Sequence, residues 1–472
     1  LIRKTYIVAV TMWVPEIEGR SGPRYLAIAD ALGEDTARGE LKAGTRLPTH
    51  RELADRLGVT VGTVTRAYAE AARRGLVSGE VGRGTFARGG APDMQPQLSL
   101  APSDGGAIDL SRNHPAPLSD AKALLTKTLQ ALTQRADLGE LLEYAPDVGS
   151  LEHREAGAAW LALGGLKARP DDIVVTNGSQ HGMTAIFAAV CRPGDLVLTE
   201  ALTYPGMKAV ASLLHLRLQG LPMDQSGLLP DAFEAACRSG APRALYTIPT
   251  IQNPTTSLLP ESRRKEIARI AREYGVVIVE DDVHGPLLEN GPASFAALAP
   301  DVTCYLGGTA KALAPGLRIG YLLAPASLTV RIGAGIRATT WMATPLMAAI
   351  AAQWVADGTA QQLVKRRRDE ARARQKIAAV HLKGFERDTH LAGNHIWLHL
   401  PDPWRSETLA EAARRRGVLV TPAQAFVVGR ATAPHAVRVC IGSARDRSGL
   451  EDGLARLVQV LEGPAESGLM VM

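Results

Sequence analysis

GGTAKALAPGLRIGY, residues 307–321, sets Lys311 on a turn of small residues directly after the apolar run TCYLGG, with Arg318 further along. A lysine amine that is partly desolvated loses basicity and can form a Schiff base. An isolated lysine is ordinarily a solvated surface group, so the reading turns on what surrounds it. Outward from this stretch, from about residue 119, the short apolar runs DDIVVT, DLVLTE, RALYTIP, GVVIVEDD, TCYLGG and RIGYLLA alternate with helical patterns. Strands buried on both faces and separated by helices predict a mainly parallel α/β sheet. Chemistry in such sheets gathers at the carboxyl ends of the strands.

Polar residues stand at those ends. DDIVVT leads into Asn177, Gly178, Ser179 and Gln180 at the start of a helix, a phosphate cradle or an ordinary strand-helix turn. Tyr204 in TYPG reads as a ring that stacks on another ring, or as core. Asn253 in IQNPTT offers an amide to a phenolic oxygen, or makes an Asn-Pro turn. GVVIVE delivers Asp281 and Asp282 among apolar neighbours, where a carboxylate needs a partner. A protonated ring nitrogen, a metal or a helix end would serve; with no His/Cys cluster nearby, metal is the weakest of the three, and no metal site is expected.

The N-terminal part reads differently. Residues 41–90 hold nine basic and four acidic side chains, an excess equal to the net +5 of the whole chain. A nucleic-acid footprint confined to one small domain has this form. Leu26, Ile28, Ala29 and Leu32 make one helical stripe. Thr49 and Glu52 have capping-box spacing before a second helix that Gly58 stops. A third helix follows Thr60, with Val64, Tyr68 and Ala71 inward and Thr63, Arg66 and Arg73 outward. Two helices joined by a tight turn, then LVSGEVGRGTFAR as a β-wing carrying Arg83, predict a winged helix-turn-helix; the alternative is a helical domain with a solvated basic face.

At 472 residues the chain exceeds one ordinary domain, and an apolar fraction of 46% excludes global disorder. We expect an N-terminal extension at 1–23, with Met12 as the start, and a winged helix at 24–88. A tether rich in Pro and Gly at 89–118, partly lying on the second domain, follows, then the α/β domain at 119–472, its smaller α+β subdomain from about 350. Cys191, Cys237, Cys304 and Cys440 form no CxxC pair, which argues against zinc and disulfides and fits a cytoplasmic location. No apolar run reaches the ~20 residues of a membrane span.

GELKAGTRLPTHRELADRLGVTVGTVTRAYAEAARRGLVSGEVGRGTFAR resembles the GntR-type winged helix along its whole length. The resemblance implies double-stranded operator DNA as partner, with Arg51 on the backbone, Thr63 and Arg66 at the groove and Arg83 in the wing. Gly62 departs from the family, whose members often carry Arg there. Residues 119–460 resemble fold-type I pyridoxal-phosphate enzymes of the aspartate-aminotransferase-like superfamily. That likeness implies pyridoxal 5′-phosphate, with Lys311 as its Schiff-base lysine and the one catalytic residue. Asp281 would hold the ring nitrogen, Asn253 the phenolic oxygen, Tyr204 the ring face, and Gly178, Ser179, Gln180 and Arg318 the phosphate.

Tyr144, in YAPDVGSLEHRE, matches the tyrosine that reaches the phosphate of a neighbouring subunit, which implies a homodimer. Arg438, in AVRVCIG, matches the arginine that binds a substrate carboxylate, and Asn113, in SRNHP, lines the same pocket. His284 stands where relatives have Tyr beside the cofactor. Gly308 and Thr309 replace a Ser-Phe pair, leaving Thr309 to supply a phosphate hydroxyl. The tandem is similar to MocR-type regulators: a transcriptional regulator in which an amino acid or amine effector, or the cofactor itself, acts at the lysine. The alternatives are a working aminotransferase with an accessory DNA-binding domain, and a binding module that answers to cofactor alone.

Overall fold

The apolar stripe of Ile28, Ala29 and Leu32 is the buried face of helix α1, Arg24–Ala37. The computed structural model describes residues 13–17, 23–37, 40–41, 45–73, 76–80, 84–87, 106–429 and 432–463, and divides into two units, Leu1–Gln97 and Leu98–Met472. In the first unit, α2 (His50–Leu57) opens on the capping box its sequence predicts. The Thr49 amide donates to Glu52 Oε2 at 2.7 Å, and the Glu52 amide to Thr49 Oγ1 at 3.3 Å. Gly58, at φ 61°, closes it by donating to the carbonyls of Ala54 and Asp55.

Helix α3, Val61–Arg73, starts on Thr60, whose hydroxyl accepts from the Thr63 amide at 3.2 Å. Val64, Ala67, Tyr68 and Ala71 are its buried face, and Tyr68 donates to the Pro48 carbonyl at 2.9 Å. Burying each large side chain of this small core contributes ~1.5–3 kcal/mol. Strands β1 (Val77–Glu80) and β2 (Gly84–Ala87) pair antiparallel as the wing.

The second unit is built on seven strands: β3 (Ile173–Thr176), β4 (Leu196–Glu200), β5 (Arg217–Leu221), β6 (Ala244–Thr247), β7 (Val277–Asp281), β8 (Thr303–Gly308) and β9 (Gly320–Leu323). Their order across the sheet is β3-β9-β8-β7-β6-β4-β5. One face packs on Met183, Ile186 and Phe187, the other on Phe233, Ile267 and Ile270, which is why the strands read as continuous apolar runs. The sheet is parallel except at β9, antiparallel to both neighbours. A parallel return needs a long crossover, usually a helix. The segment 309–319 holds only the 3-10 turn Pro315–Leu317, so the chain doubles back. That return carries Lys311 and Arg318 along the active edge of the sheet.

Beyond the long helix Thr359–His381, strands β10 (Arg387–Thr389), β11 (Ile396–His399), β12 (Thr421–Pro422) and β13 (Ala436–Val439) form an antiparallel sheet in the order β10-β11-β13-β12. Helices Ser406–Arg415 and Arg447–Leu461 accompany it. The segment expected as a tether enters this subdomain before it ends: Ile108–Asp109 pairs parallel with Val418–Leu419, and Leu110 is fully buried. Among the described residues no helix is long and apolar enough to cross a membrane.

Candidate functional site

Lys311 stands on the turn after β8, half-buried, and its amine donates to the Asn113 carbonyl. Desolvation, reinforced by the Arg438 and Arg318 guanidinium groups, lowers its pKa to about 8, against the pull of Asp281. Asp281 ends β7. The Tyr246 hydroxyl, from β6, donates to its Oδ2 at 2.6 Å, and Oδ1 has no hydrogen-bond partner among the described residues. Burial pushes this carboxyl up to about 6, although the Tyr246 bond works the other way. A buried acceptor left open costs ~1–3 kcal/mol, so Oδ1 marks a position for a donor. Asp282 belongs elsewhere: it accepts from the Tyr305 hydroxyl at 3.0 Å, as alternation along the strand requires.

Arg438, on β13, is buried. Its Nη1 donates to Asn253 Oδ1 at 2.7 Å, its Nη2 to the Ser111 carbonyl at 2.7 Å, and it lies 4.8 Å from the Phe426 ring centre. Asn113 is buried beside it and its Nδ2 meets His395 Nδ1 at 3.3 Å; His395 Nε2 in turn meets the Gln252 carbonyl at 3.1 Å. An amide nitrogen and a carbonyl fix the tautomer: Nδ1 accepts and Nε2 carries the proton. His284 is buried with both ring nitrogens unpartnered among the described residues, its ring 6.3 Å from that of His395. Burial, with Lys311 nearby, lowers its pKa to about 3 and holds it neutral.

The turn after β3 meets the lysine loop across glycine. A β-carbon on Gly178 would lie 2.7 Å from Arg318 Nη2, and one on Gly308 would lie 2.3 Å from Ser179 Oγ. Ser179 begins the helix Ser179–Val190, whose first amides point to the same place. Ser179 Oγ thus takes the space that a side chain at 308 would fill. This corrects the role expected of Thr309: it is fully buried and spends its hydroxyl on the Ile319 carbonyl at 2.7 Å. Gln180 donates to the Gly206 carbonyl at 3.2 Å, and the Tyr204 ring rests directly over Gly206.

Tyr144 stands apart from this group. It is exposed, and its ring packs on Trp341 with centroids 5.6 Å apart. In the first unit Arg51 is exposed. The Thr63 hydroxyl shares a 2.9 Å hydrogen bond with that of Thr60, and the exposed Arg66 lies 4.3 Å from the Tyr25 ring centre. Arg83 lies outside the described residues, as does the side chain of Arg73. Tyr246, His395, Ser111 and Arg367 were not anticipated from sequence. Arg367 sits in the charged run KRRRDEARAR. It is buried, donating to the carbonyls of Ala116 and Leu313.

Comparison with known proteins covers both units. The family described as aminotransferase class I and II matches residues 106–457, and bacterial regulatory proteins of the gntR family match residues 24–87. A Bacillus subtilis (strain 168) protein, the uncharacterized HTH-type transcriptional regulator YdeF, is 30% identical over 95% of this chain and 97% of its own. The HTH-type pyridoxine biosynthesis transcriptional regulator PdxR of Corynebacterium glutamicum is 31% identical over 61% of this chain and 63% of its own. Among solved structures, the alpha-aminoadipate aminotransferase LysN of Thermus thermophilus, complexed with N-(5'-phosphopyridoxyl)-L-leucine, is 26% identical. It superposes with a TM-score of 0.69 over 76% of this chain and 92% of that one.

Proposed function

This chain belongs to the aminotransferase class I and II family and joins it to a gntR-family domain, the MocR architecture, and on that premise we propose a pyridoxal-phosphate-dependent, sequence-specific DNA-binding transcriptional regulator. Its effector is an amino acid or amine received at Lys311. The observation that carries the reading is the gathering around one another of a lysine with lowered pKa, a buried carboxylate with an open oxygen, and a buried arginine.

The residues fit pyridoxal 5′-phosphate. Asp281 Oδ1 is an acceptor for a ring N–H. Asn253 keeps its amide nitrogen for a phenolic oxygen while its Oδ1 holds Arg438. Ser179, Arg318 and the helix N-terminus gather donors for a phosphate, and Tyr204 offers a ring face. When bound, the cofactor supplies an aldehyde for amines and a ring that withdraws electrons. The chain's own part is to raise the neutral fraction of the Lys311 amine near neutral pH far above that of an ordinary lysine, to keep Asp281 charged, and to offer Arg438 to a carboxylate. Arg51, Thr63, Arg66 and Arg83 are the proposed DNA contacts, the first of them to phosphate.

A second reading, a working aminotransferase, is favoured by Lys311 lying in the field of Asp281 and Arg438 and by Arg438 donating to Asn253. Spectral titration of the full chain with cofactor and then with a panel of amino acids decides. We expect visible absorbance that Lys311→Ala lacks, a spectral change with some amino acids, and no turnover. Borohydride trapping should label Lys311. A colourless protein, or a label elsewhere, overturns the proposal; steady formation of keto acid selects the aminotransferase.

A further inference from the structure

The segment 109–116 crosses the site as a strap, and three buried or half-buried cations donate to its carbonyls. Arg438 Nη2 holds the Ser111 carbonyl at 2.7 Å, the Lys311 amine holds that of Asn113, and Arg367 holds that of Ala116. Arg367 also holds the Leu313 carbonyl at 2.8 Å, just past Lys311, so it clamps the strap to the lysine loop. Further contacts fix the strap from the small subdomain: the Thr421 hydroxyl donates to the Ser111 carbonyl at 2.9 Å, the Ser443 hydroxyl to that of Asp109 at 2.5 Å, and the Cys440 amide to that of Leu110 at 2.7 Å. Asn113 Nδ2 hooks onto His395 Nδ1 at 3.3 Å, and the His114 carbonyl lies so close to Gly442 that a β-carbon there would be 2.1 Å away.

Hydrogen bonds from charged donors are the stronger kind. Two of the three donors are the groups that the proposed function requires a ligand to use. We propose that the strap is a built-in competitor for the site: it holds Lys311 and Arg438 through the carbonyls of Asn113 and Ser111. The cofactor aldehyde, or a ligand carboxylate, gains those groups by releasing it. Asn113 and Arg367 are then positioning residues that set how firmly the strap competes. The inference rests on the reading of Lys311 and Arg438 given above.

Ile108–Asp109 pairs with Val418–Leu419 and Leu110 is fully buried, so the start of the strap is anchored to the small subdomain and the part a ligand competes for is 111–116. A ligand shifts such an equilibrium only through its different affinity for the strapped and released forms. The linkage is reciprocal, so whatever weakens the strap raises ligand affinity by the same factor.

The test uses the full chain and pyridoxal 5′-phosphate as probe, with visible absorbance for binding and amide hydrogen exchange for the strap. Saturating probe should speed exchange in peptides spanning 106–118 by about 10-fold and leave those of β7 and β8 no faster. Asn113→Ala removes the hook but neither cation, and should bind the probe about 3- to 10-fold more tightly than the unaltered protein. Gly442→Ala pushes on the His114 carbonyl from the other side and should shift affinity in the same direction. If the strap were only structural, both variants would bind more weakly. That outcome overturns the inference, as does unchanged exchange at 106–118 in a protein that has gained its absorbance. A protein that never gains absorbance overturns the reading of Lys311 and, with it, this one.

Discussion

Desolvation of the half-buried Lys311 beside two guanidinium groups lowers the pKa of its amine to about 8. At pH 7.5 roughly a quarter of such amines are neutral, against about one in a thousand for an ordinary lysine. Only the neutral amine attacks an aldehyde. Capture of cofactor should therefore quicken about tenfold per pH unit below 8 and level off above it. On the acid side Asp281 sets a second limb. Its carboxyl is raised to about 6, so it is charged above that pH and can accept a ring N–H there; binding should weaken as pH falls through 6. Tyr246→Phe removes a hydrogen bond that favours the charged carboxylate. The acid limb should then move to higher pH, with a loss of ~1.5–3 kcal/mol in cofactor affinity. Absorbance titrations from pH 5 to 10 check both limbs; a basic midpoint near that of free lysine would refute the account.

Where β8 ends against the helix Ser179–Val190, the pair Gly308 and Ser179 trades one side chain for another. Gly308→Ser would set a β-carbon 2.3 Å from Ser179 Oγ and 2.9 Å from Val283 Cγ1. Overpacking of this kind costs ~1–3 kcal/mol. Adding Ser179→Gly removes the nearer clash, so the double variant should be more stable than Gly308→Ser alone. Thermal unfolding of the four proteins in the cycle measures this, and simple additivity would show that the two positions do not share the space. Such coupling also explains what could be read beforehand. The first unit was legible because its signals are local: a capping box, a left-handed glycine, an i, i+4, i+7 stripe. Lys311 and Asp281 drew attention because they stand at the ends of apolar runs, whereas Arg438, inside the strand Ala436–Val439, was reached only through the family resemblance. Tyr246, Arg367 and the strap were not legible, since their partners lie far along the chain and no spacing encodes them. RIGYLLA was read as a strand but not the antiparallel direction of β9, whose signal is the absence of a crossover helix between 309 and 319.

Across the whole molecule the question is what covers the aromatic pair at Tyr144 and Trp341. Both rings are exposed, by 81% and 55%, with Leu142 at 87% and Leu151 at 55%. Trp341 is held at φ 69°, which a bulky residue seldom adopts. Exposed apolar groups of this size mark an interaction surface. By the resemblance to fold-type I enzymes, the proposed partner is a second copy of this chain, and Tyr144 would then reach the neighbour's cofactor phosphate. The protein should then sediment at twice the mass of its chain, and Trp341→Asp should bring it to the mass of one chain. Because each pocket would lose its neighbour's Tyr144, the monomer should also bind cofactor more weakly at an unchanged pH optimum. Two joined winged helices bind a duplex with two half-sites more tightly than one, by effective concentration. The variant should lose that advantage and keep its affinity for a single half-site. A Trp341→Asp protein that stays at double mass places the interface elsewhere. One that becomes a monomer yet binds cofactor as before removes Tyr144 from the site.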